Sequence, residues 1–370
     1  MSSPLNILKQ RIQTLDGLRF LAALGVLWIH TWTIHGNPRF YIGKIDIADF
    51  LAIGVNGVEL FFVISGFCMY YFYANKSGFS YHDFYRFLIK RWVRLSPAFY
   101  VVTIIYIVVN KYVHHYNVNA FYSFLHSVFY LNYFLGRYYT ASHFWTLTVE
   151  WQFYVIIPFV LIYQNRIGFK NTFFIIFGII FSAAIISVFI LKNTNDNFTG
   201  TIIFRGIEFG CGVIAARLVM KNNTWFKNRV LWLIAFIVIV YSGRVLVSKP
   251  ILNLSFYYYN LFKLLGFTFM GIGFAGILYL SITSVKWLNL ILGNRLFKTM
   301  GRISYSFYLL HALVFPVVAG FVMHYAPLFK GIAAPVVSTL ISAVILYPLS
   351  LLSYRLLEKP FLSVGNLTTK

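Results

Sequence analysis

Negative charge is scarce in this chain: 370 residues include only nine Asp and Glu, against 31 Lys and Arg. Charged residues of both signs together reach 11%, where a soluble domain carries about 25%. Hydrophobic residues supply 59%, which excludes an ordinary water-soluble fold. Cysteine is nearly absent. Cys68 and Cys211 both fall in apolar stretches and read as small packing residues rather than as a disulfide or a metal pair. No phosphate-binding glycine loop, dinucleotide fingerprint or zinc spacing occurs, so no metal is expected. No small-residue cleavage site follows the first apolar run, which is therefore expected to remain as a retained span.

What fills the chain is a series of membrane-length apolar runs, near 17–35, 50–73, 98–113, 144–163, 172–191, 201–219, 230–247, 260–281, 303–325 and 332–355. Each approaches the roughly 20 residues that a helix needs to cross a bilayer. The expected fold is all-α, a polytopic transmembrane helix bundle of about ten spans, with residues 1–370 forming a single membrane domain. Residues 119–135 are also apolar and aromatic but read as an interfacial or re-entrant segment, because a span there would break the charge pattern. In the ten-span arrangement, 20 Lys and Arg lie on one side and nine on the other, with Arg19 and Arg205 inside spans. The excess marks the cytoplasmic face and puts both termini there. A net charge of +22 invites a nucleic-acid reading. The cations sit in loops between apolar runs, however, so the expected partner is the lipid bilayer and not nucleic acid.

Ionisable residues inside spans are costly and mark functional sites by default. Arg19 and His30 share the first span. Eleven residues are about three helical turns, so the two fall within about 20° of one face and roughly 16 Å apart along the axis. His30 lies about 20 Å in from the cytoplasmic start of this span, and Glu150 about 10 Å below the outer surface in the fourth. In a core about 30 Å thick those depths coincide. A buried carboxylate orients an imidazole and raises its basicity; the alternative is a structural ion pair.

Arg91 and Arg94, three residues apart at the entrance to the third span, aim both guanidiniums the same way. They suit phosphate contacts or anionic headgroups, and Arg19 is expected at the same level. Ser65, in Ile64-Ser65-Gly66, offers a hydroxyl, either as a nucleophile or for close helix packing. Arg205 and Glu208 have the spacing of an i,i+3 pair. His311 is a second deep histidine, placed to line the same cavity or to cap a helix. His114, His115, His126 and His143 read as outer-loop positions.

Taken in order, these segments resemble the acyltransferase-3 family of integral membrane acyltransferases. The resemblance rests on Leu15-Asp16-Gly17-Leu18-Arg19 followed by His30, on Glu59 to Phe67, and on Arg91-x-x-Arg94. It continues through Trp145-x-Leu147-x-x-Glu150, Arg205-x-x-Glu208, Ser304 to His311 and Glu358-Lys359-Pro360. It implies transfer of an acyl group, usually acetyl, from cytoplasmic acyl-CoA to a hydroxyl of a cell-envelope carbohydrate, at the inner membrane. Acetyl-CoA would then be the donor, held by Arg91, Arg94 and Arg19. His30 would be general base or transient acyl carrier, supported by Glu150. The competing expectation is a glycan or small-molecule transporter with His30 and Glu150 as a proton relay.

Overall fold

The computed structural model describes residues 4–48, 52–74, 79–117, 119–131, 140–189, 200–221, 226–248, 256–283, 286–326 and 328–362. They are helical almost throughout. In chain order the helices are α1 (Pro4–Ile34), α2 (Gly57–Tyr73), α3 (Tyr81–Tyr112), α4 (Ala120–Val128), α5 (Trp145–Ile167), α6 (Phe169–Phe189), α7 (Ile202–Met220), α8 (Arg229–Ser248), α9 (Phe256–Thr283), α10 (Lys286–Leu292), α11 (Arg295–Arg302), α12 (Ser304–Tyr325) and α13 (Ala333–Ser353). Short 3₁₀ turns, Ala52–Asn56 and Ser142–Phe144, lead into α2 and α5, and a π-helical turn, Tyr354–Glu358, continues α13. One two-residue hairpin pairs Tyr41 with Asp46 and Ile42 with Ile45.

Among the described residues, nine helices are long and apolar enough to cross a membrane. The tenth long helix, α7, carries Arg205, Glu208 and Arg217. The expected polytopic all-α architecture is what the chain forms. Large side chains such as Val344 (73% exposed) and Ile179 (65%) face outward from these helices, a surface suited to hydrocarbon rather than water.

Two boundaries differ from the sequence reading. The third helix begins at Tyr81, well before residue 98. Ser80 accepts from the Asp83 amide and the Asp83 carboxylate accepts from the Ser80 amide, a reciprocal cap that starts a helix efficiently. Pro97 lies inside α3, so Arg91 and Arg94 sit within a helix and not before one. The segment at 119–135 holds α4, capped by Asn119. Its nine residues reach only about 14 Å, too short to span; residues 132–135 lie outside those described.

The chain divides into two compact units, and it passes from one to the other within α2. The first comprises residues 1–61 and 285–360. There α1 packs on α10, α11, α12 and α13, around Ala23, Leu27, Ile303, Phe307 and Leu346. Backbones meet closely: a Cβ on Gly17 would lie 2.3 Å from the Leu292 carbonyl oxygen. The second unit comprises residues 62–284 and 361–370. Within it α3 packs on α5, α5 on α6 and α7, and α9 on α7 and α8. Gly66 of α2 and Gly212 of α7 are the contact points of those helices. A Cβ on either would come within 2.1 Å of a backbone oxygen, of Phe209 and Val63 respectively. Gly168, at φ 82°, makes the left-handed turn that lets α6 follow α5 directly.

Candidate active site

In the first unit, His30 of α1 lies against two aromatic residues of α12. Its ring centroid is 5.2 Å from that of His311 and 5.4 Å from that of Phe315, with the Phe315 ring stacked nearly parallel. His311 is 1% exposed, and its Nδ1 meets the Tyr308 carbonyl oxygen. A carbonyl only accepts, so Nδ1 carries a proton, and in the neutral ring Nε2 is the basic nitrogen. The unit thus holds two neighbouring imidazoles, one fixed in tautomer and orientation. Nearer the start of α1, Arg19 Nη1 lies 3.4 Å from Asp16 Oδ1, one turn back.

Glu358 joins this unit too. Its carboxylate accepts from the Ser306 hydroxyl, and Ser306 shares a 2.8 Å hydrogen bond with Ser353. The segments Ser304–His311 and Glu358–Pro360 therefore meet through one buried contact. The π-helical turn brings Glu358 round to it.

The second unit holds Glu150, Ser65 and the arginines of α3. Glu150 Oε1 accepts from Ser65 Oγ at 2.6 Å and from the Tyr154 hydroxyl at 2.5 Å. With its single proton directed to this carboxylate, Ser65 acts here as a donor. Tyr154 also faces Arg91, whose guanidinium carbon is 6.0 Å from its ring centroid, 5.5 Å from that of Phe87 and 5.6 Å from that of Tyr73. Arg91 Nη2 donates to the Tyr73 hydroxyl at 2.9 Å. Arg94, one turn on, is near enough to act electrostatically on Tyr154. Ser65, Glu150 and Tyr154 thus form one hydrogen-bonded set, with Arg91 beside the Tyr154 ring.

Arg205 and Glu208 make the i,i+3 pair at 3.3 Å, with Arg205 2% exposed and Glu208 fully buried. The Arg205 guanidinium rests 3.9 Å from the Phe267 ring centroid, with Phe62 and Trp145 around it. Both partners of the pair belong to α7 and lie inside the unit. His143 departs from its loop assignment: it is buried in the 3₁₀ turn before α5, edge-on to Tyr106 and Phe144. Cys68 and Cys211 are buried and unbridged. Among the described residues, no group of three or more His, Cys, Asp or Glu could hold a metal ion.

A family model described as an acyltransferase domain, acyltransferase 3, matches residues 12–355. The chain belongs to the acyltransferase-3 family. It is also 28% identical over 229 residues to a protein of Acidianus two-tailed virus named "Putative acetyltransferase ORF330". That match covers 60% of this chain and 63% of the viral protein, less than two thirds of its length. No solved structure matches. The family match encloses His30, Ser65, Arg91, Arg94, Glu150, Arg205, Glu208 and His311 in both units.

Several members of these sets escaped the sequence reading. Tyr154 stands one turn beyond Glu150, and Phe315 one turn beyond His311; i,i+4 spacing from the singled-out residues would have found both. Tyr73 had no such signal, being one of 27 tyrosines.

Proposed function

We propose that this acyltransferase-3 protein moves an acetyl group from cytoplasmic acetyl-CoA to a hydroxyl of a cell-envelope carbohydrate, such as O-antigen, exopolysaccharide or another glycan. The observation that carries the reading furthest is the imidazole pair of the first unit, set in a chain of the acyltransferase-3 family. His30 takes the proton of the acceptor hydroxyl as its oxygen attacks the thioester carbonyl. The C–O bond forms, the C–S bond breaks, and the proton passes to the departing thiolate to give free CoA thiol. In the covalent variant the acetyl group rests transiently on the His30 imidazole before the hydroxyl takes it. Glu150, which accepts from Ser65 and Tyr154 in the second unit, is the carboxylate assigned to the same reaction because its depth in its span matches that of His30.

Arg91 and Arg94 are assigned to the donor phosphates. Support comes from the way Arg91 is held: Tyr73 fixes the guanidinium through a neutral hydroxyl, so its full charge stays available to an anion. Arg19 is proposed as a further donor contact, although Asp16 offsets part of its charge. In this reading the protein sits in the inner membrane with both termini in the cytoplasm, an orientation that the Lys and Arg asymmetry supports.

Purified protein in proteoliposomes, given acetyl-CoA labelled in the acetyl group and an envelope glycan fraction, tests this reading. Label is expected on the glycan in an alkali-labile ester. Proton-coupled movement of glycan with no label transfer would overturn it in favour of a transporter.

A further inference from the structure

A second arginine of the second unit is held as Arg91 is. Arg217, near the end of α7, directs Nη1 to the Tyr70 hydroxyl at 3.4 Å, and its guanidinium carbon lies 5.1 Å from the Phe169 ring centroid. Tyr70 is fully buried, gives its own proton to Gln164 Oε1 at 2.6 Å, and meets Phe169 edge-on. A phenol that donates to Gln164 keeps its lone pairs for Arg217. Tyr70 and Tyr73 are one turn apart on α2, a spacing that puts Cβ atoms about 5–6 Å apart. Two tyrosines one turn apart thus anchor two arginines from different helices, α3 and α7.

The residues involved stand at matching helix ends: Tyr70 and Tyr73 close α2, Gln164 closes α5, Phe169 opens α6, and Arg217 closes α7. By the Lys and Arg asymmetry that end is cytoplasmic. Among the described residues no carboxylate pairs with Arg91 or Arg217, and the buried Nε of each meets no acceptor. Hydroxyl anchoring orients a guanidinium without neutralising it, which is what an anion-binding group requires and what a structural ion pair lacks. The Arg205–Glu208 pair of the same helix, enclosed and neutralised, shows the contrast.

We propose that Arg217, positioned by Tyr70 and Phe169, is a second phosphate contact for acyl-CoA, in addition to Arg91 and Arg94. The donor suits two contacts, since its phosphates form two groups, a diphosphate and a ribose phosphate. The inference rests on the acyl-CoA reading. The shared chemistry is a phosphate, which an anionic lipid headgroup could also supply.

Binding of acetyl-CoA and of S-acetylpantetheine, which has no phosphate, is measured for the full chain in phosphatidylcholine nanodiscs. Arg217→Ala is expected to weaken acetyl-CoA binding roughly 10–150-fold, as loss of one charge-assisted contact does, and to leave S-acetylpantetheine binding unchanged. Arg217→Lys should restore binding in part, because a point charge lacks the guanidinium fork. Tyr70→Phe, which keeps the ring packing, should weaken acetyl-CoA binding by a smaller factor and raise the donor KM without lowering kcat. If Arg217→Ala fails to fold, the Lys and Phe variants carry the test. Wild-type acetyl-CoA affinity in Arg217→Lys and Tyr70→Phe, or equal losses for both ligands, would overturn the proposal. So would an Arg217→Ala defect confined to co-purified phosphatidylglycerol, which assigns the site to lipid. An Arg91→Ala variant that loses acetyl-CoA while Arg217→Ala retains it sinks this inference alone; wild-type protein that binds no acetyl-CoA sinks the functional reading beneath it.

Discussion

Tyr154 and Glu150, one turn apart on α5, share a 2.5 Å hydrogen bond in which the phenol donates to Oε1 of the carboxylate. Ser65 of α2 donates to that same oxygen at 2.6 Å. Both donors meet one oxygen, so an amide oxygen in its place can accept both bonds in the same geometry, without the charge that strengthens them. Glu150→Gln therefore separates charge from shape.

The Gln variant is expected to insert and melt like wild type while acetyl transfer falls roughly 10²-fold or more, the scale on which positioned acid–base groups act. Melting temperature and initial transfer rate, taken on the same preparation, check it. Undiminished transfer would remove the Glu150 charge from the mechanism. Tyr154→Phe, by contrast, should lower stability by about 1.5–3 kcal/mol, the range for a hydrogen bond to a charged group.

His30 is the residue whose loss should matter most to turnover. Its ring faces His311 and Phe315, so His30→Gln keeps a planar polar group between them and removes the titratable nitrogen. Transfer should drop about 10²–10⁴-fold with detergent-solubilised yield unchanged. Activity within a few-fold of wild type would exclude His30 as base and as acyl carrier.

Much of this was legible in the chain because membranes simplify the code. Apolar runs of bilayer length and the ionisable residues within them are one-dimensional signals, and they located the spans together with His30, Glu150, Arg205 and Glu208. Hydroxyl partners were not legible. Tyr154, Tyr73 and Tyr70 are chemically like the lipid-facing tyrosines around them, and only three-dimensional neighbours distinguish them. The Ser306–Glu358 contact shows the same limit: both segments were visible, but their pairing depends on a π-helical turn that no spacing announces. The apolar run of α3 marks only its hydrocarbon-crossing part, while the Ser80 cap that starts the helix lies well before it.

Gly66 tests the packing of the second unit. An added methyl at this site would meet the Phe209 carbonyl oxygen at 2.1 Å, with the Phe209 carbonyl carbon at 2.8 Å. Backbone on both sides cannot yield as a side chain does, so α2 and α7 must separate. Gly66→Ala should cost about 1–3 kcal/mol, the usual range for overpacking. Thermal unfolding in detergent checks it; an unchanged melting temperature would mean that the helices do not touch there.

His35 gives the first unit a pH dependence. Its Nε2 shares a 2.8 Å hydrogen bond with Ser338 Oγ of α13, and burial pushes the imidazole below its ordinary value of 6.5. The unfolded chain therefore binds this proton more readily than the folded one. The resulting stability is complete above about pH 6.5 and is lost as pH falls through the lower folded value. Comparing wild type with His35→Gln between pH 8 and 5 should show wild type losing more stability on acidification. Parallel pH profiles would assign the acid sensitivity elsewhere.

The donor assignment of Arg91 and Arg94 is open to a test that separates charge, fork geometry and packing. Arg91 lies among the Tyr73, Phe87 and Tyr154 rings, so Arg91→Ala loses aromatic packing as well as charge. Arg91→Lys retains charge but not the fork, and Arg91→Met retains bulk without charge. If phosphate binding is the role, acetyl-CoA affinity should fall roughly 10–150-fold in Ala and Met, the equivalent of one charge-assisted contact. Lys should fall between them and wild type. Arg94→Ala should behave likewise, and acceptor KM should stay put for all. A purely topological role gives another pattern, in which poor insertion accompanies normal donor affinity in whatever protein is correctly oriented. Orientation can be read by labelling cysteines placed at Asn117 and Lys370, because the native Cys68 and Cys211 are buried. Wild-type acetyl-CoA affinity in a correctly oriented Arg91→Ala, Arg94→Ala double variant would refute the donor site, and with it the reason for placing acyl-CoA at this end of the second unit.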